Sequence, residues 1–276
     1  KKIVKLLDQI GMYTFSKKIK FEGDLYCITP DDGFEYFFGY YDKSPWDSED
    51  RYIIALKVKQ TYKSVAPLEV GRIVLIDTSD DNKVIPIAKT RAWNVQQGCM
   101  AQWLGPDFNT RIIYNDYRAG NYCSVVFNVK TMREERVYNS AIYDVSKDGK
   151  FALCLDFSRL HRLRPGYGYA NIPDVSKGEL CPERACIWKL NLNSGETVNL
   201  FKYTDLAEFE SRIEMKCAEH KVNHLMISPN GKRFMILHRW LVGSKKYTRL
   251  LTADCDGKGL YNLSDDDFVS HCYWKS

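Results

Sequence analysis

The sequence predicts an all-β protein, a β-propeller of four-stranded antiparallel blades. Three observations carry that expectation: a hairpin written several times along the chain, a second strand pair after each copy, and little helical periodicity. The clearest copy is His224–Trp240, an apolar strand, the turn Ser228-Pro229-Asn230-Gly231, and a second apolar strand from Arg233 to His238. Pro229 presets φ for the turn, and Gly231 accepts the positive φ that a tight hairpin needs.

Weaker copies lie at Tyr40–Ala55, Ala101–Tyr114 and Ala141–Cys154. With turns starting at Ser44, Leu104, Ser146 and Ser228, the steps are 60, 42 and 82 residues. The strand pairs that follow are Arg72–Asp77 with Lys83–Ala88, Cys123–Val129 with Glu135–Tyr138, Ala185–Leu190 with Glu196–Phe201, and Thr248–Ala253 with Gly259–Leu263. Four strands at a period near ~40–45 residues is the pattern of a propeller blade. A two-sheet sandwich with accidentally similar hairpins is the competing architecture.

One domain is expected over residues 1–276. Residues 1–20 form a helical extension in this reading, with Ile3, Val4, Leu6, Leu7 and Ile10 at helical spacing and Gly11 as a stop. Asp24–Thr29 reads as a strand of the kind an N-terminal segment lends to a last blade. The blades are expected at about 35–90, 97–138, 140–203 and 221–264, with a helical insertion at 204–218 between blades three and four. A long insertion, Arg159 to Pro182, interrupts blade three, and such insertions in a compact repeat usually serve function. Ser270–Ser276 reads as the first strand of a fifth copy, so the chain is expected to be the first part of a larger ring.

With 45% hydrophobic residues the chain can bury a substantial core. Its net charge of +5 is a mild excess without a block of like charges, which argues against nucleic acid as a partner. No apolar run is long enough for a transmembrane helix. The nine cysteines are odd in number and scattered, several of them inside predicted strands. They read as reduced thiols, and with no visible signal peptide the expected location is cytoplasmic. Cys181 and Cys186 could bridge or bind metal, but packing is the simpler account.

In a blade the start of the first strand and the end of the second converge on the central channel. Four residues back from each turn start lie Tyr40, Met100, Ile142 and His224, and His271 takes the same place in the unfinished copy. At the ends of the second strands lie Asn115, Asp116 and Arg118, then Asp156 and Arg159, then His238 and Arg239. The histidines either form a metal-capable pocket or fill the channel as hydrogen-bonded inner-strand residues. The blade-three insertion adds Arg159, His161, Arg162, Arg164, Tyr167 and Tyr169, as a ligand-binding loop or a solvated basic one. Arginines fork onto acidic groups, and tyrosine rings stack on sugar faces.

The turn Ser228-Pro-Asn-Gly-Lys-Arg-Phe234 resembles the repeat of TolB-type and WD40-like propellers. With its leading histidine, His224-x-x-x-Ser-Pro, it resembles the oligogalacturonate lyases. That resemblance implies an enzyme in which histidines and a glutamine hold manganese in the channel; the ion neutralises a uronate carboxylate while a base removes the C5 proton. It makes His224 a metal ligand and adds His271, by its blade position, and His238 as further candidates. Gln96, Gln97 and Gln102 have no matched counterpart, and no catalytic base is matched.

Two functions are therefore expected. One is a carbohydrate-active propeller that binds or acts on an acidic oligo- or polysaccharide, with a divalent metal and lyase chemistry as the resemblance's implication. Arg118, Arg159, His161, Arg162, Arg164, Tyr167, Tyr169 and Arg239 would bind the saccharide. The alternative is a non-catalytic propeller that scaffolds protein partners.

Overall fold

The structure is a computed structural model and describes residues 22–275. It divides into Lys1–Pro30 and Asp31–Ser276. The helix expected at 3–10 lies outside the described residues. Asp24–Thr29 is not a strand: among the described residues it joins no ladder, and an extended segment without one has nothing to fix it.

From Asp31 onward the chain folds into four antiparallel sheets of four strands, in chain order, as the blades of a propeller. Blade one is β1 (Glu35–Phe37), β2 (Tyr52–Val58), β3 (Gly71–Asp77) and β4 (Lys83–Thr90). Blade two is β5 (Gln102–Trp103), β6 (Arg111–Arg118), β7 (Asn121–Asn128) and β8 (Arg133–Tyr138). Blade three is β9 (Asp144–Val145), β10 (Phe151–Leu155), β11 (Ala185–Asn191) and β12 (Thr197–Lys202). Blade four is β13 (Glu219–Ile227), β14 (Arg233–Val242), β15 (Lys245–Asp254) and β16 (Tyr261–Ser264).

Burial follows from this stacking. Middle strands such as β3 and β14 are covered on both faces and read as nearly continuous apolar runs, whereas outer strands such as β8 and β16 are largely exposed. One apolar cluster joins blades one and two through Ile54, Leu75, Trp93, Tyr114 and Val125. Another runs through blades three and four and includes Leu153, Ile187, Leu225, Phe234 and Leu251.

The repeated turn is built the same way in blades three and four. Gly149 N donates to Ser146 O and Gly231 N to Ser228 O, both at 2.8 Å. Each serine hydroxyl bonds the next-but-one side chain, Asp148 or Asn230, and accepts the amide that opens the return strand, Phe151 N or Arg233 N. Blade one uses a different residue for this job. Asp47, not Ser44, starts its turn: Asp47 N donates to Tyr52 O at 3.0 Å, and its carboxylate accepts the Arg51 and Tyr52 amides at 2.8 Å. The inner-strand position equivalent to Ile142 and His224 is therefore Lys43 rather than Tyr40. β1 also starts earlier than expected, and Phe38–Pro45 leaves the ladder before an isolated pairing of Trp46 with Ile53.

The blade-three insertion begins with a short helix, α1 (Phe157–Leu163), whose N-cap Asp156 accepts the Arg159 amide at 3.0 Å. Between blades three and four lie α2 (Tyr203–Glu208) and a 3₁₀ turn, Ile213–Cys217. The Arg249 guanidinium holds α2 against blade four, donating to Leu206 O at 2.5 Å and Phe209 O at 2.9 Å. No disulfide is present among the described residues. No helix among them is long and apolar enough to cross a membrane.

Gly149 and Gly231 have nearly the same φ, 69° and 70°, but different surroundings. A Cβ on Gly149 would stand 2.3 Å from Gly105 O in the neighbouring blade, and one on Gly231 would meet nothing within 4 Å. Both alanine variants carry the left-handed backbone cost of about 1–2 kcal/mol. We expect Gly149→Ala to cost at least about 1 kcal/mol more than Gly231→Ala, because only it forces two blades apart. Urea midpoints of the two variants check this, and equal losses would contradict the close blade contact.

Candidate functional site

The candidate site lies where β13 and β14 of blade four meet the blade-three insertion and the Tyr40–Lys43 segment. Lys221 on β13 stands directly opposite Arg239 on β14, and Thr248 on β15 is opposite Arg239 in turn. Two residues before Thr248, Lys246 falls on the same face, since side chains alternate along a strand. Arg164, which ends α1, adds a fourth cation, with its guanidinium 4.1 Å from the Tyr167 ring centre.

None of these four cations forms an ion pair among the described residues. Arg239 is 4% exposed; its Nε donates to Thr248 Oγ1 at 3.2 Å, and its buried Nη1 has no hydrogen-bond partner. Lys221 is 2% exposed and donates to Leu163 O at 2.8 Å. Burial, then Arg164, Arg239 and Lys246, pull its ammonium down to about 7. Burial and Arg164 lower Arg239, and burial with Arg239 and Arg164 lowers Lys246.

Beside this basic group lies an aromatic and imidazole cluster. The bulge between Val222 and Leu225 shifts the register of β13, and His224 falls within it. The ring of His224 is fully buried against Tyr40, Tyr41 and Tyr143, with centroids 5.3, 5.8 and 5.5 Å away. Its Nδ1 is 2.8 Å from Tyr143 Oη, which also accepts from Gln97 Nε2 at 2.6 Å. That network favours a Tyr143 hydroxyl donating to Nδ1, with the ring proton on Nε2. Nε2 then points at Asp42 Oδ2, 3.6 Å away and beyond hydrogen-bond reach. Burial, against a smaller opposing effect of Asp42, pulls His224 down to about 4, so the ring is neutral at pH 7.

Below the imidazole, the Lys43 ammonium is buried between Asp42 at 2.8 Å and Asp144 at 3.4 Å. Burial alone would lower it, but the two carboxyl groups more than offset this and hold it above the usual lysine range. Asp144 accepts the Ile227 amide at 2.6 Å, and burial raises its carboxyl group.

Of the residues singled out from sequence, the structure brings Arg164, Tyr167, Arg239, His224 and His271 into this region. Tyr167 meets the Tyr40 ring edge-on at 6.2 Å. His271 is exposed and lies against Tyr40 and Tyr41, at 6.5 and 4.9 Å between centroids.

The others are engaged elsewhere. Arg159 is fully buried, where its guanidinium bonds His220 O, Ser176, Glu179 O and Leu180 O. Arg162 pairs with Asp174 and Glu219, and Arg118 with Asp116 and Glu134. Tyr169 is core, stacked on Phe157 and bonded to Asn115. His161 lines a small cavity beside Trp93 and Gly168. Both ring nitrogens of His238 are taken: Arg249 Nε reaches Nδ1 at 3.2 Å, and Nε2 meets His220 Nδ1 at 3.0 Å.

The sequence reading missed Asp42, Lys43, Tyr143, Lys221 and Lys246. Moving the blade-one turn to Asp47 would have found Lys43. Lys221 and Lys246 depend on cross-strand register, which no local pattern shows.

A manganese-type centre needs several converging donors. Among the described residues no group of three or more His, Cys, Asp or Glu could hold a metal ion. His224 and Asp42 supply at most two donors, and the network directs an N–H, not a lone pair, from His224 towards Asp42. The described residues alone do not complete such a centre.

No family model matches the chain, and no curated protein matches it. Among solved structures it is similar to oligogalacturonate lyase from Vibrio parahaemolyticus, with a TM-score of 0.53 and 10% identity over 86% of this chain and 55% of that one. It is also similar to TolB from Acinetobacter baumannii, with a TM-score of 0.47 and 13% identity over 84% of this chain and 44% of that one. With the four blades and the similarity to the Vibrio structure, the resemblance read from the Ser228 turn holds at the level of the β-propeller fold. The chain spans about half the length of each of these two structures.

His224 yields a test of this geometry. Its folded pKa of about 4 lies below the ordinary value of 6.5, so its contribution is fully present above pH 6.5 and is lost as pH falls towards 4. His161, His220 and His238 are lowered by burial too, so the wild type should lose stability steeply over that window. We expect His224→Gln to flatten the acid loss by up to about 3 kcal/mol. Urea unfolding at pH 7 and 4.5 measures it; an unchanged acid slope would show that the ring is not held neutral.

Proposed function

We propose that this propeller binds an acidic oligo- or polysaccharide through the basic face formed by Arg164, Lys221, Arg239 and Lys246. The observation that carries the reading is the like-charge opposition of Lys221 and Arg239 on paired strands. Like charges placed opposite each other are destabilising, and here both are buried without a carboxylate partner. An arriving carboxylate would relieve the repulsion and occupy the unpartnered Nη1 of Arg239, a charge-assisted bond of the stronger kind.

Saccharide, rather than a simple anion, is supported by the rings beside the cations. Tyr40 and Tyr167 border the face and offer flat surfaces of the sort on which sugar rings rest. The similarity in fold to a structure named oligogalacturonate lyase is consistent with this ligand class. His224 is neutral at pH 7, but its ring is enclosed by tyrosines, so the reading is of binding, with bond cleavage outside it.

Titration calorimetry with a uronate trimer and a neutral trimer of the same linkage tests it. The acidic trimer should bind with an affinity that falls with salt and as pH rises through about 7, where Lys221 loses its proton. Arg239→Gln and Lys221→Gln should each weaken it at least tenfold, about 1.4 kcal/mol. Any affinity for the neutral trimer should be insensitive to both substitutions. Uronate binding that ignores both substitutions would overturn the proposal. Growth of ultraviolet absorbance from an unsaturated uronate would add elimination chemistry to binding.

A further inference from the structure

A second cavity, of about 510 Å³, lies between the blade-three insertion and the outer strands of blade three, with Tyr122 of blade two at its edge. Its strongest polar feature is Asp156. The carboxyl side chain is 8% exposed, and Oδ1 is fixed as the N-cap of α1 through the Arg159 amide. Asp156 lines the cavity, and its buried Oδ2 has no hydrogen-bond partner. Arg184 stands 3.9 Å from Oδ2, too far for a hydrogen bond but close enough to balance its charge. The other polar lining is uncharged and includes Asn139, Ser158 and Asn199.

The apolar part of the lining is equally well held. The Trp188 indole is anchored by Nε1 donating to Ser140 Oγ at 2.6 Å. Tyr122 donates to Tyr169 O at 2.9 Å and accepts from Ile172 N at 3.0 Å, so its ring is fixed as well. Ile172, Pro173 and Val175 complete the apolar side.

We propose that this cavity is a binding site for a neutral polyhydroxylated ligand, a sugar ring, whose vicinal hydroxyls bridge Asp156 Oδ2 and Arg184 while its C–H face lies on the Trp188 side. Charge decides the class. One carboxylate beside one guanidinium leaves the lining without net charge, so neither an anion nor a cation is favoured. A vicinal diol offers a donor to the carboxylate and an acceptor to the guanidinium at the spacing of one pair. Buried carboxyl groups are costly without a partner, and burial raises Asp156 above the usual range. A ligand hydroxyl on Oδ2 would supply the missing partner. This site shares no residue with the basic face and does not depend on it.

The test is an amide chemical-shift titration of the whole chain with methyl glycosides of glucose, galactose and mannose, and with tetramethylammonium chloride as a cation control. At least one glycoside should shift the amides of Asn139, Ser158 and Asn199 with a dissociation constant in the millimolar range or tighter. Asp156→Asn keeps a residue that caps helices as well as Asp, and it should weaken this binding at least tenfold. Arg184→Gln, at a half-exposed position, should weaken it similarly and covers the case in which the first variant fails to fold. Absence of any shift in the cavity, shifts confined to the basic face, or equal affinity in both folded variants would each overturn the proposal. Tetramethylammonium shifting the same amides in place of the glycosides would overturn it in favour of a cation site.

Discussion

One buried ammonium ties three blades together. Lys43 comes from blade one, its second carboxyl partner Asp144 from blade three, and Asp144 in turn accepts the Ile227 amide of blade four. Removing one member of such a cluster leaves buried charge uncompensated, at about 3–5 kcal/mol. A charge with two partners satisfies several strands at once and sets their height along the axis. The positions of Tyr143 and His224 follow, since Tyr143 directly precedes Asp144 and His224 lies on β13 with Ile227.

The fold was largely legible in the sequence, and the exceptions have identifiable physical causes. Ser146-Lys-Asp-Gly149 and Ser228-Pro-Asn-Gly231 form the same turn because serine, an acceptor side chain and a glycine recur at the same places. Blade one misled because Ser44-Pro45 imitates Ser228-Pro229, while Asp47 performs the serine's role with a carboxylate. An aspartate accepts two strand amides as readily as a hydroxyl does, so chemistry was kept where identity was not.

The site was less legible. His224 could be read from its distance to the turn, but its neighbours Lys221 and Lys246 could not. Their convergence depends on the pairing of β13, β14 and β15 and on the bulge after Val222. The blade-three insertion was misleading in a different way. Its basic residues look like a solvated loop, yet Asp156 caps a helix there and turns Arg159 inward, where every nitrogen of its guanidinium meets an acceptor. Arg164, which caps the end of the same helix, stays outside that network and joins the basic group. The N-cap and C-cap of this seven-residue helix thus separate the arginine that is built into the core from the one left beside the basic group.

Elsewhere several cations are matched by carboxylates. Arg212 is matched by Glu214, Asp265 and Asp267, and Arg118 by Asp116 and Glu134. With 35 acidic residues available, carboxylates are not scarce. In the basic group two buried cations, Lys221 and Arg239, are opposed across paired strands without a carboxylate, and like charges so placed cost stability. On the proposed reading, this uncompensated pair, with a guanidinium nitrogen of Arg239 facing no acceptor, suits a counter-charge that comes and goes.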